Sequence, residues 1–101
     1  MAKTFSVRYH EPAIEDLRRI HVFAQRRILE EVDEQLSTEP TTANRRRKLL
    51  RPRGAGAGEG EPVWQLRVGA FRVFYDVDVE RHEVLVVAIR RKGRRTTEEI
   101  A

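Results

Sequence analysis

The sequence predicts an α+β domain in which an N-terminal strand and a helical pair precede a three-stranded antiparallel meander, all the strands joining one sheet. Three observations predict it. Residues 4 to 9 alternate between apolar and polar, residues 14 to 36 repeat apolar positions at helical spacing, and residues 63 to 89 hold three strand-like runs divided by short turns.

In the first run Phe5, Val7 and Tyr9 share one face and Thr4, Ser6 and Arg8 the other, the period of a half-buried strand. Pro12 then stands at a helix start, where its missing N–H has no intrahelical partner to lose. Ile14, Leu17 and Ile20 follow at three-residue spacing, and a second stripe of Ile28, Leu29, Val32 and Leu36 runs to Ser37, with Pro40 closing the segment. Val22 and Phe23 fall off the first stripe, so two helices with a break near His21 to Ala24 are expected.

Between Pro40 and Pro62 the periodicity disappears, and the stretch ends in alternating glycines, Gly54, Gly56, Gly58 and Gly60. Such a run packs poorly, so 41–62 reads as a flexible, basic loop within one domain covering 1–101. Glu59 occupies a position that a dinucleotide fingerprint would reserve, and no strand precedes the glycines, so no nucleotide cofactor is implied.

Val63 to Val68 and Phe71 to Val77 are strand-like, and Gly69-Ala70 suits a two-residue hairpin turn with glycine first. Pairing Val68 with Phe71 sets Leu66 opposite Val73 and Trp64 opposite Tyr75, an apolar ladder facing the helices. The other face carries Arg67 opposite Arg72. Like charges across a ladder repel, so either an anion binds there or Asp76, Asp78 or a nearby glutamate neutralises them. Val84 to Ile89 is apolar throughout, as expected of a strand buried on both faces at the centre of the sheet. Thr96-Thr97-Glu98-Glu99 reads as a capping box opening a short terminal helix.

With 101 residues the chain has room for one modest core and none for a pocket enclosed by two lobes. It contains no cysteine, which excludes disulfides and thiolate chemistry and fits a reducing cytoplasm. No apolar run approaches the roughly 20 residues needed to span a bilayer, so no membrane partner is expected. The net charge of +4 conceals segregation: six cations between Arg45 and Arg53 and five between Arg90 and Arg95 leave −7 for the rest. Glu30, Glu31, Asp33, Glu34 and Glu39 form an acidic run without an intervening cation, read as a solvated helix face.

His10, His21 and His82 lie in separate segments without ligand spacing, so no metal is expected, and Ser6 and Ser37 have no histidine partner for a hydrolytic triad. What remains is a polyanion site. Arg67 and Arg72 are placed mid-hairpin on the open face, and Lys48, Arg51, Arg91, Lys92, Arg94 and Arg95 can reach it from a loop and a strand end. Guanidinium groups bind phosphate bidentately and could stabilise charge on a transferring phosphoryl group. Phe74 shares that face, free to stack a base or to lie under the C-terminal tail. No residue reads as the general base of RNA cleavage.

The order of elements, together with Glu-Asp-Leu at 15–17, Val-Trp-Gln-Leu-Arg-Val-Gly-Ala-Phe-Arg-Val-Phe-Tyr-Asp-Val at 63–77 and Arg-Lys-Gly-Arg-Arg at 91–95, resembles the RelE/ParE family of toxins from type II toxin–antitoxin systems over nearly the whole chain. The resemblance implies a RelE-like (microbial RNase-like) α+β fold and a cognate antitoxin, acidic and encoded adjacently. RelE-type members cut ribosome-bound messenger RNA without a metal, using a 2′-hydroxyl nucleophile, and so inhibit translation; ParE-type members poison DNA gyrase. Carried over by position, Arg72 and Arg94 match the catalytic arginines that hold the scissile phosphate. Val63 and Gln65 stand where RelE has lysines, and Ile100 stands where the family has its catalytic tyrosine. The first expectation is therefore an RNA-cleaving toxin; the alternatives are a gyrase inhibitor and a non-toxic basic module that docks an acidic partner.

Overall fold

The computed structural model describes residues 4–51 and 63–92. In chain order these form β1 (Ser6–Tyr9), α1 (Glu11–Arg18), α2 (Val22–Leu36), β2 (Arg47–Arg51), β3 (Val63–Val68), β4 (Phe71–Asp78) and β5 (Glu83–Arg91). The five strands make one sheet in the order β1-β5-β4-β3-β2, with β1 parallel to β5 and every other pair antiparallel. The expected α+β architecture is present, with one strand more than the sequence suggested.

The helices separate without glycine or proline. Phe23 N–H donates to His21 Nδ1 at 3.2 Å, starting α2, while the Gln25 amide donates to the carbonyls of Leu17 (2.7 Å) and Ile20 (3.0 Å), tying α2 to the end of α1 and the turn after it. The break covers 19–21, slightly earlier than expected, and Val22 and Phe23 form an exposed first turn of α2. Ile28, Val32 and Leu36 are fully buried at four-residue spacing, whereas Leu29 faces solvent.

The β3–β4 hairpin adopts the expected register, with Val68 opposite Phe71, Arg67 opposite Arg72, Leu66 opposite Val73 and Trp64 opposite Tyr75. Gly69 takes φ +58, the left-handed conformation that the first central residue of this turn requires. Leu66, Val73 and Tyr75 are fully buried beneath the helices. Each such apolar side chain contributes about 1.5–3 kcal/mol through burial.

β5 is an interior strand between β1 and β4, but the centre of the sheet is β4, and the outward residues Leu85 and Val87 of β5 are half-buried rather than buried on both faces as expected. The register shifts after Phe74, which pairs with Ala88 while Tyr75 pairs with Val86, so Val87 is an inserted bulge residue. The bulge lets Val86 and Ile89 both point into the core despite their odd spacing. Where β1 has ended, the Asp16 carboxylate from α1 accepts the Ile89 N–H at 2.9 Å and thus finishes that edge of β5.

Part of the expected loop over 41–62 is a strand. β2 pairs with β3 through Arg47 opposite Leu66, Lys48 opposite Gln65 and Leu49 opposite Trp64. Its residues Arg-Lys-Leu-Leu-Arg lack apolar alternation because the inward position is taken by a cation, Arg47, which is only 3% exposed. The Gly-rich stretch and the expected helix at 96–99 lie outside the described residues.

Both tyrosines of the chain lie on the inner face. Tyr75 donates its hydroxyl to the Pro40 carbonyl at 2.6 Å, and its burial raises its pKa well above the ordinary value against the opposing effect of Arg47. Burial first, then Asp33, pushes Tyr9 up to about 12. In the folded state each therefore keeps its proton at a pH where an unfolded tyrosine has ionised. Stability conferred by these groups is complete below pH of about 10 and falls as pH rises towards 12. Ultraviolet titration should show no tyrosinate near pH of about 10 and a single rise coincident with loss of the circular dichroism signal; a rise that precedes unfolding would contradict this burial.

Candidate polyanion-binding site

The outward face of the sheet gathers its charge by strand register. Alternation along β3 places Gln65 and Arg67 outward, β4 sets Arg72 beside Arg67, and β2 adds Lys48 beside Gln65. Lys92 follows β5 and is anchored by its N–H to the Ala70 carbonyl of the hairpin turn at 2.7 Å. With Arg45 and Arg46, which lead into β2, these residues line an open cavity of about 370 Å³. Among the described residues no carboxylate, imidazole or phenol lines it.

Local bonds position the cations. Asn44 Oδ1 accepts the backbone N–H groups of Arg46 (2.8 Å) and Arg47 (2.9 Å), and the Arg46 carbonyl accepts the Arg67 N–H at 2.8 Å, fixing the approach to β2 against β3. The Arg72 guanidinium donates to the carbonyls of Gly69 (3.1 Å) and Phe71 (3.0 Å). Desolvation first, then repulsion from Arg67, lowers the Arg72 pKa. Of the carboxylates considered as neutralising the pair, Asp78 lies instead beside Arg81 at 4.0 Å.

The structure thus brings together Lys48, Arg67, Arg72 and Lys92 among the expected site residues. Arg91 is separate: it stacks on Phe71, 5.1 Å from the ring centroid, and lines a second groove of about 720 Å³ with Asp16, Arg19 and Ile20. Arg51 pairs through its backbone with Val63, while Arg94 and Arg95 lie outside the described residues. Arg90 and Arg47, counted with the basic clusters in sequence, have structural partners instead. Arg90 meets Asp16 at 2.6 Å; Arg47 bonds to the Thr42 carbonyl (2.8 Å), to Gln35 and to Glu39 (3.4 Å). Sequence reasoning missed Gln65, Arg45 and Arg46 as lining residues, although strand alternation alone sets Gln65 on the face of Arg67.

Phe74 shares the outward face, half-buried between Gln65 and Ala88. Among the described residues no group of three or more histidines and carboxylates is arranged to hold a metal ion. No helix among them is long and apolar enough to cross a membrane.

The chain is thus a small α+β domain whose open sheet face carries a cluster of arginines and lysines. Residues 7–96 match the family model described as the ParE toxin of type II toxin–antitoxin systems, parDE, and the chain belongs to that family of toxins. Solved structures agree. The archaeal RelE–RelB complex from Pyrococcus horikoshii matches at 25% identity with a TM-score of 0.70, over 90% of this chain and 98% of that one. The RelBE2 toxin–antitoxin complex from Mycobacterium tuberculosis matches at 25% identity and 0.71, over 90% and 94%. The isolated RelE toxin of E. coli shares the fold at 14% identity and 0.63, over 96% and 99%. A comparison with curated proteins returns no match.

Replacing one of two facing cations should stabilise the fold while weakening the site. Arg67→Gln is expected to raise unfolding free energy by roughly 0.2–1 kcal/mol at low salt. Urea denaturation measures it, and the gain should shrink as salt is added. A variant less stable than the parent would show that the pair is already neutralised.

Proposed function

We propose that this toxin is a RelE-like endoribonuclease that cuts ribosome-bound messenger RNA. The observation that carries this reading is the facing pair Arg67 and Arg72 on an open surface with Lys48 and Lys92 beside it. In metal-independent cleavage the 2′-hydroxyl oxygen attacks phosphorus, its proton leaves to a base, and the 5′-oxygen departs taking a proton. Negative charge builds on the phosphoryl oxygens in between, and guanidinium groups aimed at them favour that state over the ground state. Arg72, with Arg94 by position in the family motif, binds the scissile phosphate; Arg67, Lys48 and Lys92 add potential, and Arg51 and Arg95, by their positions in sequence, extend it along the RNA.

The two tyrosines face the core, so neither is available as a proton carrier at this surface. The lining groups are suited to charge stabilisation. Placement of the 2′-hydroxyl then falls to the surface on which the RNA is presented, in keeping with a ribosome-dependent reaction. A cognate antitoxin, acidic and cytoplasmic like the toxin, holds the protein inactive; the complexes of the Pyrococcus and Mycobacterium relatives support this. Exposed Phe23 (73%) and Val22 (54%) beside the groove of Arg19, Arg90 and Arg91 offer such a partner apolar and cationic contacts together.

A second reading, inhibition of DNA gyrase by binding, is favoured by the family model itself, which describes the ParE toxin. Mapping of transcript ends after induced expression separates the two. Cleavage within translated messages that Arg72→Ala reduces by about 10²–10³, with the fold retained, is the expected result. Intact transcripts accompanied by a DNA-damage response would assign the protein to gyrase, and wild-type cleavage by Arg72→Ala would remove that arginine from the site.

A further inference from the structure

The cationic surface does not stop at the edge of the sheet. A smaller cavity of about 200 Å³, distinct from the groove of Arg91, is lined by Arg27 and Glu31 of α2 together with Arg45, Arg46, Arg67 and Gly69. Arg45, Arg46 and Arg67 also line the open-face cavity, so the two cavities adjoin at these three residues where the sheet meets the helix, and together they form the groove considered below. The Arg27 guanidinium lies over Gly69, where a Cβ on that residue would meet its Nη1 at 3.3 Å, which places it at the rim of the hairpin turn.

Glu31 is the one carboxylate among the described lining residues of this groove, and it is bonded to Arg46 at 2.8 Å. Glu31 is largely covered, 21% exposed, while Arg46 remains 44% exposed. The pair therefore holds a groove cation in place from the helix side and leaves its guanidinium open to solvent. Val68 is the groove's single hydrophobic lining residue in the described chain, so the groove offers little apolar burial to an acidic peptide. A single-stranded backbone, charged at every nucleotide and able to bend, fits better.

The geometry points to an RNA track that continues past the scissile phosphate, over the sheet edge to Arg27, with Glu31 as an internal counter-anion that RNA displaces from Arg46. This rests on the RNA reading above and adds a binding subsite and a means of tuning its affinity. Ionised Glu31 competes with a phosphate for Arg46, so removing its charge exposes one more cation to the backbone.

Binding of a short fluorescent oligouridylate to the full-length toxin, measured across a salt series, tests the assignment. Arg27→Ala should weaken binding and flatten the slope of log affinity against log salt by about 0.7, the value of one single-strand phosphate contact. Glu31→Gln should tighten binding about two- to five-fold at low salt, as expected for release of a partly exposed ion pair, and steepen the slope by a similar 0.7. Thermal melting confirms that each variant is folded. If Arg72→Ala weakens binding while Arg27→Ala and Glu31→Gln leave it unchanged, the track ends on the sheet and this inference alone is overturned. If neither the parent nor any variant binds RNA, the RNA reading falls with it. Capture of a polyglutamate that depends on Arg27, with no RNA binding, would reassign the groove to an acidic protein.

Discussion

A buried guanidinium decides where the sheet ends. Alternation along β2 sends Lys48 outward only if Arg47 points inward, and Arg47 is 3% exposed. An unpaired charge there would carry a prohibitive desolvation cost. Its donors are met by the Thr42 carbonyl, Gln35 and Glu39, all from the end of α2 and the turn beyond it. Tyr75 closes the same corner by bonding to the Pro40 carbonyl, and Asn44 returns the chain into β2. Removing acceptors from this corner would release the strand that presents Arg46 and Lys48.

The opposite edge is finished in a related way. β1 is too short to pair the whole of β5, and the Asp16 carboxylate replaces it by accepting the Ile89 N–H and holding Arg90. Both sheet edges thus take one arginine out of the basic clusters for structural duty. Of the cluster residues that are left, Lys48 and Lys92 join Arg67 and Arg72 on the open face, and Arg91 stacks on Phe71. The acidic run along α2 and the turn after it is not merely solvated either, since Glu31 and Glu39 reach Arg46 and Arg47.

How much of this was legible in the sequence follows from how local each determinant is. The hairpin register was readable because Gly69-Ala70 and the alternation of Trp64, Leu66 and Val68 constrain it independently. The helix break could be seen as a change of phase at Val22 and Phe23, although its cause, the Gln25 amide, could not. β2 was hidden because burial of Arg47 depends on acceptors supplied by another element, and a cation without visible partners reads as solvent-facing. The face of Arg67 and Arg72 was legible by alternation; the departure of Arg90 and Arg91 from it depended on Asp16 and Phe71, which tertiary structure brings near.

The facing arginines set stability against binding. Repulsion between Arg67 and Arg72 weakens the hairpin in the free protein, and partial desolvation of Arg72 adds to the cost. A polyanion lying across both guanidiniums would screen that repulsion. On an open surface each cation remains partly screened by water, and affinity grows with the number of phosphates engaged rather than with the strength of one contact. Such a surface can hold a backbone without fixing the torsion angle that aligns a 2′-hydroxyl with its leaving oxygen. Alignment of that kind needs a second wall, and on the RNA reading proposed above a core this small leaves that wall to the assembly that presents the substrate.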